Sequence, residues 1–151
     1  MGLLANKDYG TTPLQRVLAS GIKRCQLGDV RDIDRPASDN GEVAKGPLSK
    51  TIVNLTLEEP ARTTDGDEVQ AGFPTAVSIN VWEGREDEAR AQLRELAIAV
   101  LGLERNTKEN VVAAVDARGG WAALKGKPLL VEFVVKKGFC DAKAFNRIPA
   151  H

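Results

Sequence analysis

The 151-residue sequence has little of what catalytic sites are usually built from. Its single histidine is the terminal His151, and its two cysteines, Cys25 and Cys140, stand far apart without CxxC spacing. A zinc site of the usual Cys/His type therefore lacks ligands, and a thiol redox motif is absent. Neither a GxxxxGK[ST] phosphate loop nor a GxGxxG motif occurs. We expect no enzymatic activity, no metal and no cofactor, and two thiols buried as small hydrophobic groups in a reducing cytoplasm.

Long apolar runs are also missing. No stretch approaches the roughly 20 apolar residues that a membrane-spanning helix needs. The N-terminal "MGLLANKD" has no basic region followed by a long apolar segment, so we expect neither a secretory signal nor a membrane partner. At this length, one domain is the default; we place it at residues 21–151, after an N-terminal extension at 1–20.

The sequence has no excess charge of either sign, since its formal net charge is zero, but the charges are unevenly distributed. Residues 58–118 hold thirteen acidic and seven basic residues, whereas 125–147 holds six basic and two acidic residues. Two acidic clusters, "TTDGDE" and "EGREDE", fit a hairpin turn and a helix N-terminus better than a metal loop or an acid/base pair. The basic C-terminal region is compatible with a nucleic-acid partner.

Alternating apolar residues predict three strands in the first half of the chain, at 22–35, 49–60 and 73–82. The last two are predicted to form a long hairpin across a turn-rich segment. Gly28 is a predicted bulge or bend in the first strand. The Pro- and Gly-containing stretch at 36–47 is a predicted surface loop.

The hydrophobic period then changes to that of a helix. Apolar residues at three- and four-residue spacing predict a helix over 86–101, with three acidic residues in its first turn and Gly102 just past its end. A shorter helix is predicted over 107–118 with Thr107 as its N-cap. Two strands follow. The order β-β-β-α-(α)-β-β predicts a mainly β protein with one or two helices (α+β), arranged as a five-stranded OB-fold-like barrel.

The final stretch, "KKGFCDAKAFNRI", raises a question about its two faces. As an uninterrupted strand it places a small, mostly apolar set on one side, predicted to face the core: Cys140, Ala142, Ala144 and Ile148. The other side carries two aromatic rings among charged residues: Phe139, Asp141, Lys143, Phe145 and Arg147. This second face either binds a ligand or packs under loops while its cations extend to solvent.

Single-stranded nucleic acid is bound by grooves that combine cations for the phosphates with aromatic faces for the bases. The outer strand faces predicted here offer both. The candidate binding residues are Lys50, Trp82, Lys136, Lys137, Lys143, Phe145 and Arg147. Two loop residues, Arg35 and Lys45, are candidates to fold over the bound strand.

Three segments carry a resemblance to a known family: "LSKTIVNLTLEEPARTTDGDEVQAGFPTAVSINVW", "EDEARAQLRELAIAVLGL" and "LKGKPLLVEFVVKKGFCDAKAFNRI". Over residues 20–148, their layout resembles that of the small OB-fold single-stranded DNA-binding proteins of bacteriophages. The resemblance implies a protein that coats single-stranded DNA without strong sequence preference, in replication or recombination, in the cytoplasm of a bacterium or phage-infected host. Homo-oligomerisation stays open.

A second class of protein also fits the sequence. The zero net charge and the seven aromatic residues would suit a non-catalytic structural or assembly module of a phage or bacterium that uses the same barrel for protein contacts. Nucleic-acid binding would distinguish the two classes.

Overall fold

The computed structural model describes residues 17–34, 47–136 and 139–149, and within them the chain is mainly β with two α-helices. The predicted loop at 36–47 and the extension at 1–20 lie almost wholly outside these residues. In chain order the elements are β1 (Gly21–Asp34), β2 (Ser49–Leu57), β3 (Ala61–Arg62), β4 (Glu68–Val69), β5 (Pro74–Val81), α1 (Glu86–Leu101), α2 (Val111–Ala117), a 3₁₀ helix (Trp121–Leu124), β6 (Pro128–Lys136) and β7 (Phe139–Asn146).

Five long strands form one antiparallel sheet in the order β5-β2-β1-β6-β7. After three sequential strands, the chain passes through the helices and returns as β6 beside β1, which is the Greek-key arrangement. The predicted hairpin of the second and third long strands is confirmed by the β2–β5 pairing. The edge strands β5 and β7 approach one another without forming a ladder in the described part of the chain. The mainly β, α+β prediction is therefore confirmed, whereas the sheet is not closed into a barrel.

The long strand β1 is shared between two ladders. Its first part pairs with β6 and its remainder with β2, and the β1–β2 register shifts between Leu27 and Val30. Gly28 lies in this irregularity, where an added Cβ would sit 3.1 Å from the carbonyl oxygen of Asn54. The two strands approach closely because this position lacks a side chain. The predicted bulge at Gly28 is confirmed.

The acidic segment "TTDGDE" forms a turn, as predicted. It joins the short strands β3 and β4, which lie between β2 and β5. The N–H of Thr63 donates to the carbonyl of Asp67, and Gly66 has a φ of 89°, which favours glycine. These carboxylates belong to a hairpin.

Helix α1 has the predicted bounds. Three acidic residues occupy its first turn, and Gly102 ends it in the left-handed conformation with a φ of 71°. The second helix begins later than predicted, because Asn110 and not Thr107 is its N-cap. The Asn110 Oδ1 accepts from the N–H of Ala113, whereas the Thr107 hydroxyl accepts from the N–H of Glu109 in the preceding turn.

The core lies on the inner face of the curved sheet. Buried side chains from β1, β2, β5 and β6 meet the apolar side of α1, which contributes Leu96, Ala97 and Val100. Helix α1 contacts β5, β6 and β7, so it covers the gap between the two edge strands. The outer face of β1, β2 and β5 is left without a packed helix in the described residues. None of the helices described is both long and apolar enough to cross a membrane.

Candidate nucleic-acid interface

A bulge in β7 changes the faces predicted for the final strand. Ala144 lies opposite Glu132 and Ala142 opposite Phe133, so Lys143 is an extra residue on β7. Beyond it the alternation is reversed, and Phe145 lies opposite the buried Val131. Phe145 is only 4% exposed and belongs to the core. The prediction that its ring is available for base stacking is wrong.

The small face of β7 is confirmed only in part. Cys140 and Ala142 pack against the core, as predicted. Ala144 is paired with Glu132, on the outer side of the sheet, and therefore does not share their face. The extra residue Lys143 separates the two sets.

Lys143 on β7 and Arg147 just after it both have acidic partners. Lys143 Nζ lies 3.7 Å from Glu132 Oε2, across the bulge. Arg147 Nη2 lies 2.9 Å from Glu104 Oε1, and its Nη1 donates to the carbonyl of Gly102, so it fastens β7 to the end of α1. Each of these two cations would have to share or give up its acidic partner to contact a phosphate. Of the candidates nearby, Lys136 is exposed at the end of β6, and Lys137 lies outside the described residues.

Trp82 is the exposed aromatic residue among the candidates. It follows the last residue of β5, and 43% of it is accessible to solvent. Leu48, which is 38% exposed, precedes β2 at the same end of the hairpin, where its N–H donates to the carbonyl of Val81. A tryptophan and a leucine therefore lie together at one end of the outer face.

Two cations flank this apolar end. Lys50 is exposed on β2, opposite Asn80 on β5 and opposite Ile33 on β1. Arg31 is exposed on β1, opposite Ile52. Directly opposed residues of an antiparallel pair project to the same face, so these side chains share the outer side. Within the described residues, neither cation has an ion pair or a hydrogen-bonded side-chain partner.

The neighbouring acidic group on β1 faces away. Asp32 lies between Arg31 and Ile33, and alternation turns it to the opposite side. There it accepts a hydrogen bond of 2.7 Å from the Thr51 hydroxyl. In the described strands, the side chains that share the outer side around Lys50 and Arg31 are therefore cationic, polar or apolar. We call this side the open face, and it comprises Arg31, Ile33, Leu48, Lys50, Ile52, Ser78, Asn80 and Trp82.

Sequence reasoning found Lys50 and Trp82 on this face and missed the β1 residues. Arg31 and Ile33 were not among the candidates, because the face of a strand that follows a bulge is defined only by its pairing. Leu48, which precedes β2, was not among them either. The available signal was the short alternation "VRDI" after Gly28, read together with "LSK" on the next strand. The loop candidates Arg35 and Lys45 lie outside the described residues.

Among the described residues, the titratable groups with a shifted pKa are the two cysteines. Burial raises the pKa of the Cys25 thiol from 9.0 to about 12, with the nearby Glu58 carboxylate adding to the shift. Burial also raises the pKa of Cys140. Both thiols are protonated at neutral pH, and a protonated thiol is a poor nucleophile. Among the described residues, no group of three or more His, Cys, Asp or Glu side chains is placed to hold a metal ion.

Comparisons with protein-family models, with curated proteins and with solved structures found no match.

Proposed function

We propose that this chain is an OB-fold-like protein that binds and coats single-stranded DNA without strong sequence preference, and that the DNA lies on the open face. The observation that carries the proposal is the exposed Trp82 on the same face as two cations, Lys50 and Arg31, that have no acidic partner in the described residues.

The strand arrangement supports the OB-like part of the proposal. Such barrels are five-stranded, partly open Greek keys that bind oligonucleotides across the face of their second and third strands. Here the second and third long strands are β2, which carries Lys50, and β5, which ends directly before Trp82. The contact between β5 and β7, with α1 across it, is consistent with a barrel left open at that seam.

The composition of the open face supports a single-stranded ligand. Bases stack on aromatic side chains at about 1 to 3 kcal/mol each, and cations neutralise the phosphates. In this arrangement Trp82 stacks against a base, Leu48 and Ile33 extend the apolar surface, and Lys50 and Arg31 contact phosphates. Lys136 is a further phosphate contact at the end of β6. Phe145 has no part in it, and the paired cations Lys143 and Arg147 contribute little.

The proposal is tested by the anisotropy of a fluorescein-labelled oligo-dT of about 15 nucleotides, a length that fits one OB-type site. We expect binding at about 20 mM salt that falls steeply toward about 200 mM, because phosphate contacts release counterions. Trp82→Ala should weaken binding about 5- to 150-fold through the lost stacking. Val112→Ala is the control, since it removes another exposed apolar side chain, 71% accessible to solvent, from α2, away from the open face.

Two results would contradict the proposal. One is the absence of binding at low salt; combined with a stable oligomer in light scattering, it would select the protein-contact alternative. The other is binding in which Trp82→Ala and Val112→Ala both match the unmodified chain, which would place the nucleic acid elsewhere.

A further inference from the structure

A groove of about 520 Å³ lies between α1 and α2, apart from the open face. Its floor is apolar and is formed by Leu93, Ala97, Val111, Val115 and Trp121. Val112 lines the same groove, and it is the most exposed of the large apolar side chains in the described part of the chain. The groove has the size of a ligand or peptide site. Together with the exposed valine, it has the features of a surface that contacts another molecule.

The two sides of the groove carry opposite charges, and we call them the basic rim and the acidic rim. The basic rim is Arg90 and Arg94 on α1, and the acidic rim is Glu109 and Asp116, before and within α2. Arg94 Nη2 donates to the carbonyl of Thr107 at 3.0 Å and has no ion pair with a described acidic residue. Arg90 is paired with Asp87 in the preceding turn, but both side chains are largely exposed, and such a pair contributes little.

An occupant of the groove must satisfy both rims. The acidic-rim carboxylates form no ion pair and accept no hydrogen bond within the residues that the structure describes, and no described ion pair crosses the groove. An occupant that fits has an apolar projection for the floor, acidic groups on one side and basic groups on the other. A second copy of this chain offers all three, namely Val112, the acidic rim and the basic rim.

Two-fold symmetry determines which rims meet. When two copies face each other about an axis that runs along the groove, the basic rim of each copy lies against the acidic rim of the other. Val112 of each copy then projects toward the floor of the other copy's groove. Such a contact is isologous, because the same patch serves on both sides, and every interaction in it occurs twice.

We propose that the groove between α1 and α2 is the contact surface of a symmetric homodimer, with Val112 of each copy in the groove of the other and the rims paired by charge. The proposal does not depend on DNA binding, because the groove shares no residue with the open face. A strand of about 15 nucleotides fits one OB-type site. Its affinity for one open face is therefore independent of the dimer, which keeps Val112→Ala a valid control for Trp82→Ala.

Sedimentation velocity tests the proposal by measuring the mass of the unmodified chain in solution, where we expect two chains per particle. Val112→Asp places a carboxylate against the apolar floor and should weaken the dimer about tenfold or more, because a buried charge without a partner is costly. The valine is largely exposed in the single chain, so a thermal melt should show that this variant is folded.

Reversing the charge of each rim tests the pairing directly. One variant carries Arg90→Glu and Arg94→Glu, and a second carries Glu109→Lys and Asp116→Lys. Each variant alone sets like charges opposite one another and should weaken its own dimer about tenfold or more, because like charges across an interface are strongly unfavourable. Mixed in equal amounts, the two variants bring opposite charges together at both rims, and they should form a heterodimer.

The matched control is Asp65→Lys with Asp67→Lys, which makes the same change in net charge on the exposed turn between β3 and β4. This control chain should dimerise like the unmodified one. Mixed with the basic-rim variant, it should form less heterodimer than the acidic-rim variant does. Attraction by net charge alone would make the two mixtures equal, which would contradict the pairing of the rims.

Three further results would overturn the proposal. The first is a chain that stays monomeric up to about 100 μM. The second is a dimer that both rim variants retain, and the third is a pair of folded rim variants that form no heterodimer when mixed. If a rim variant does not fold, Val112→Asp decides, and an unchanged dimer in it overturns the proposal. None of these results bears on the proposed function, and a dimer that responds as expected stands even if the chain binds no DNA.

Discussion

Phe145 on β7 and Trp82 at the end of β5 have similar surroundings in the sequence and opposite positions in the fold. Each is an aromatic residue near a strand end, with polar or charged residues at alternate positions. Phe145 is 4% exposed, whereas Trp82 is 43% exposed. The difference arises from one extra residue, Lys143, which turns Phe145 inward. Residue type alone therefore does not show whether an aromatic side chain is exposed; the register of its strand pairing does.

The cations near Phe145 and those near Trp82 also differ, in whether they have an acidic partner. On β7 and just after it, Lys143 and Arg147 are paired with Glu132 and Glu104. On the open face, Lys50 and Arg31 have no such partners in the described residues. A cation already paired releases fewer counterions when it meets a phosphate. Three experiments test these differences.

The largest expected effect is on stability. Phe145→Ala should lower the free energy of unfolding by about 3 to 5 kcal/mol, because it leaves a cavity beside Val131. Trp82→Ala should cost only about 1 kcal/mol, since much of that side chain is already in solvent. Urea denaturation of both variants provides the measurement. Equal losses would show that the two rings are not buried differently.

The next effect concerns the buried side of the sheet and depends on pH. Burial raises the pKa of Cys25 from 9.0 to about 12, so between these values the unfolded chain loses a proton that the folded chain keeps. Stability must then fall as pH rises, by up to about 1.4 kcal/mol per pH unit. Cys25→Ser removes this titration.

The measurement is the free energy of unfolding at about pH 8 and pH 10, compared between the unmodified chain and Cys25→Ser. Other groups titrate in both chains, so the difference between the two pH slopes isolates Cys25. Identical slopes would contradict the burial of this thiol.

The smallest expected effect distinguishes the two lysines. Lys50→Ala should reduce the slope of log K against log salt by about 0.7, the value for one phosphate contact with a single strand. Lys143→Ala should leave the slope unchanged because its ammonium group lies beside Glu132. Oligo-dT titrations over a range of salt concentrations provide the measurement. A larger change for Lys143→Ala would move the binding site to β7.

The sequence predicts those parts of the fold that depend on neighbouring residues in the chain. The bounds of α1 followed from its apolar spacing and from Gly102, and the bulge in β1 followed from Gly28. The bulge at Lys143 has no such marker. "DAKAF" contains neither glycine nor proline, so its irregularity arises from the fit between β6 and β7, which no local pattern records.

Less of the candidate site could be predicted from the sequence, because part of it depends on strand pairing and tertiary contacts. Trp82 and Lys50 lie on a regular hairpin, whose alternation is readable from the sequence. Arg31 and Ile33 follow a bulge, so their face depends on pairing with β2. The ion pairs of Lys143 and Arg147 are tertiary contacts, and Arg147 reaches a residue more than forty positions away in the chain.

The shared strand β1 also has a consequence for the order in which the chain folds. Gly21 pairs with Phe133, and Gln26 with Pro128, so the β1–β6 ladder joins segments about a hundred residues apart. The β2–β5 hairpin closes a far shorter loop and requires nothing beyond Val81. Since ladders between distant segments form slowly, we expect the β2–β5 hairpin to pair before the β1–β6 ladder forms. During synthesis on the ribosome, the two strands that carry Lys50 and Asn80 would then pair before β6 and β7 have emerged.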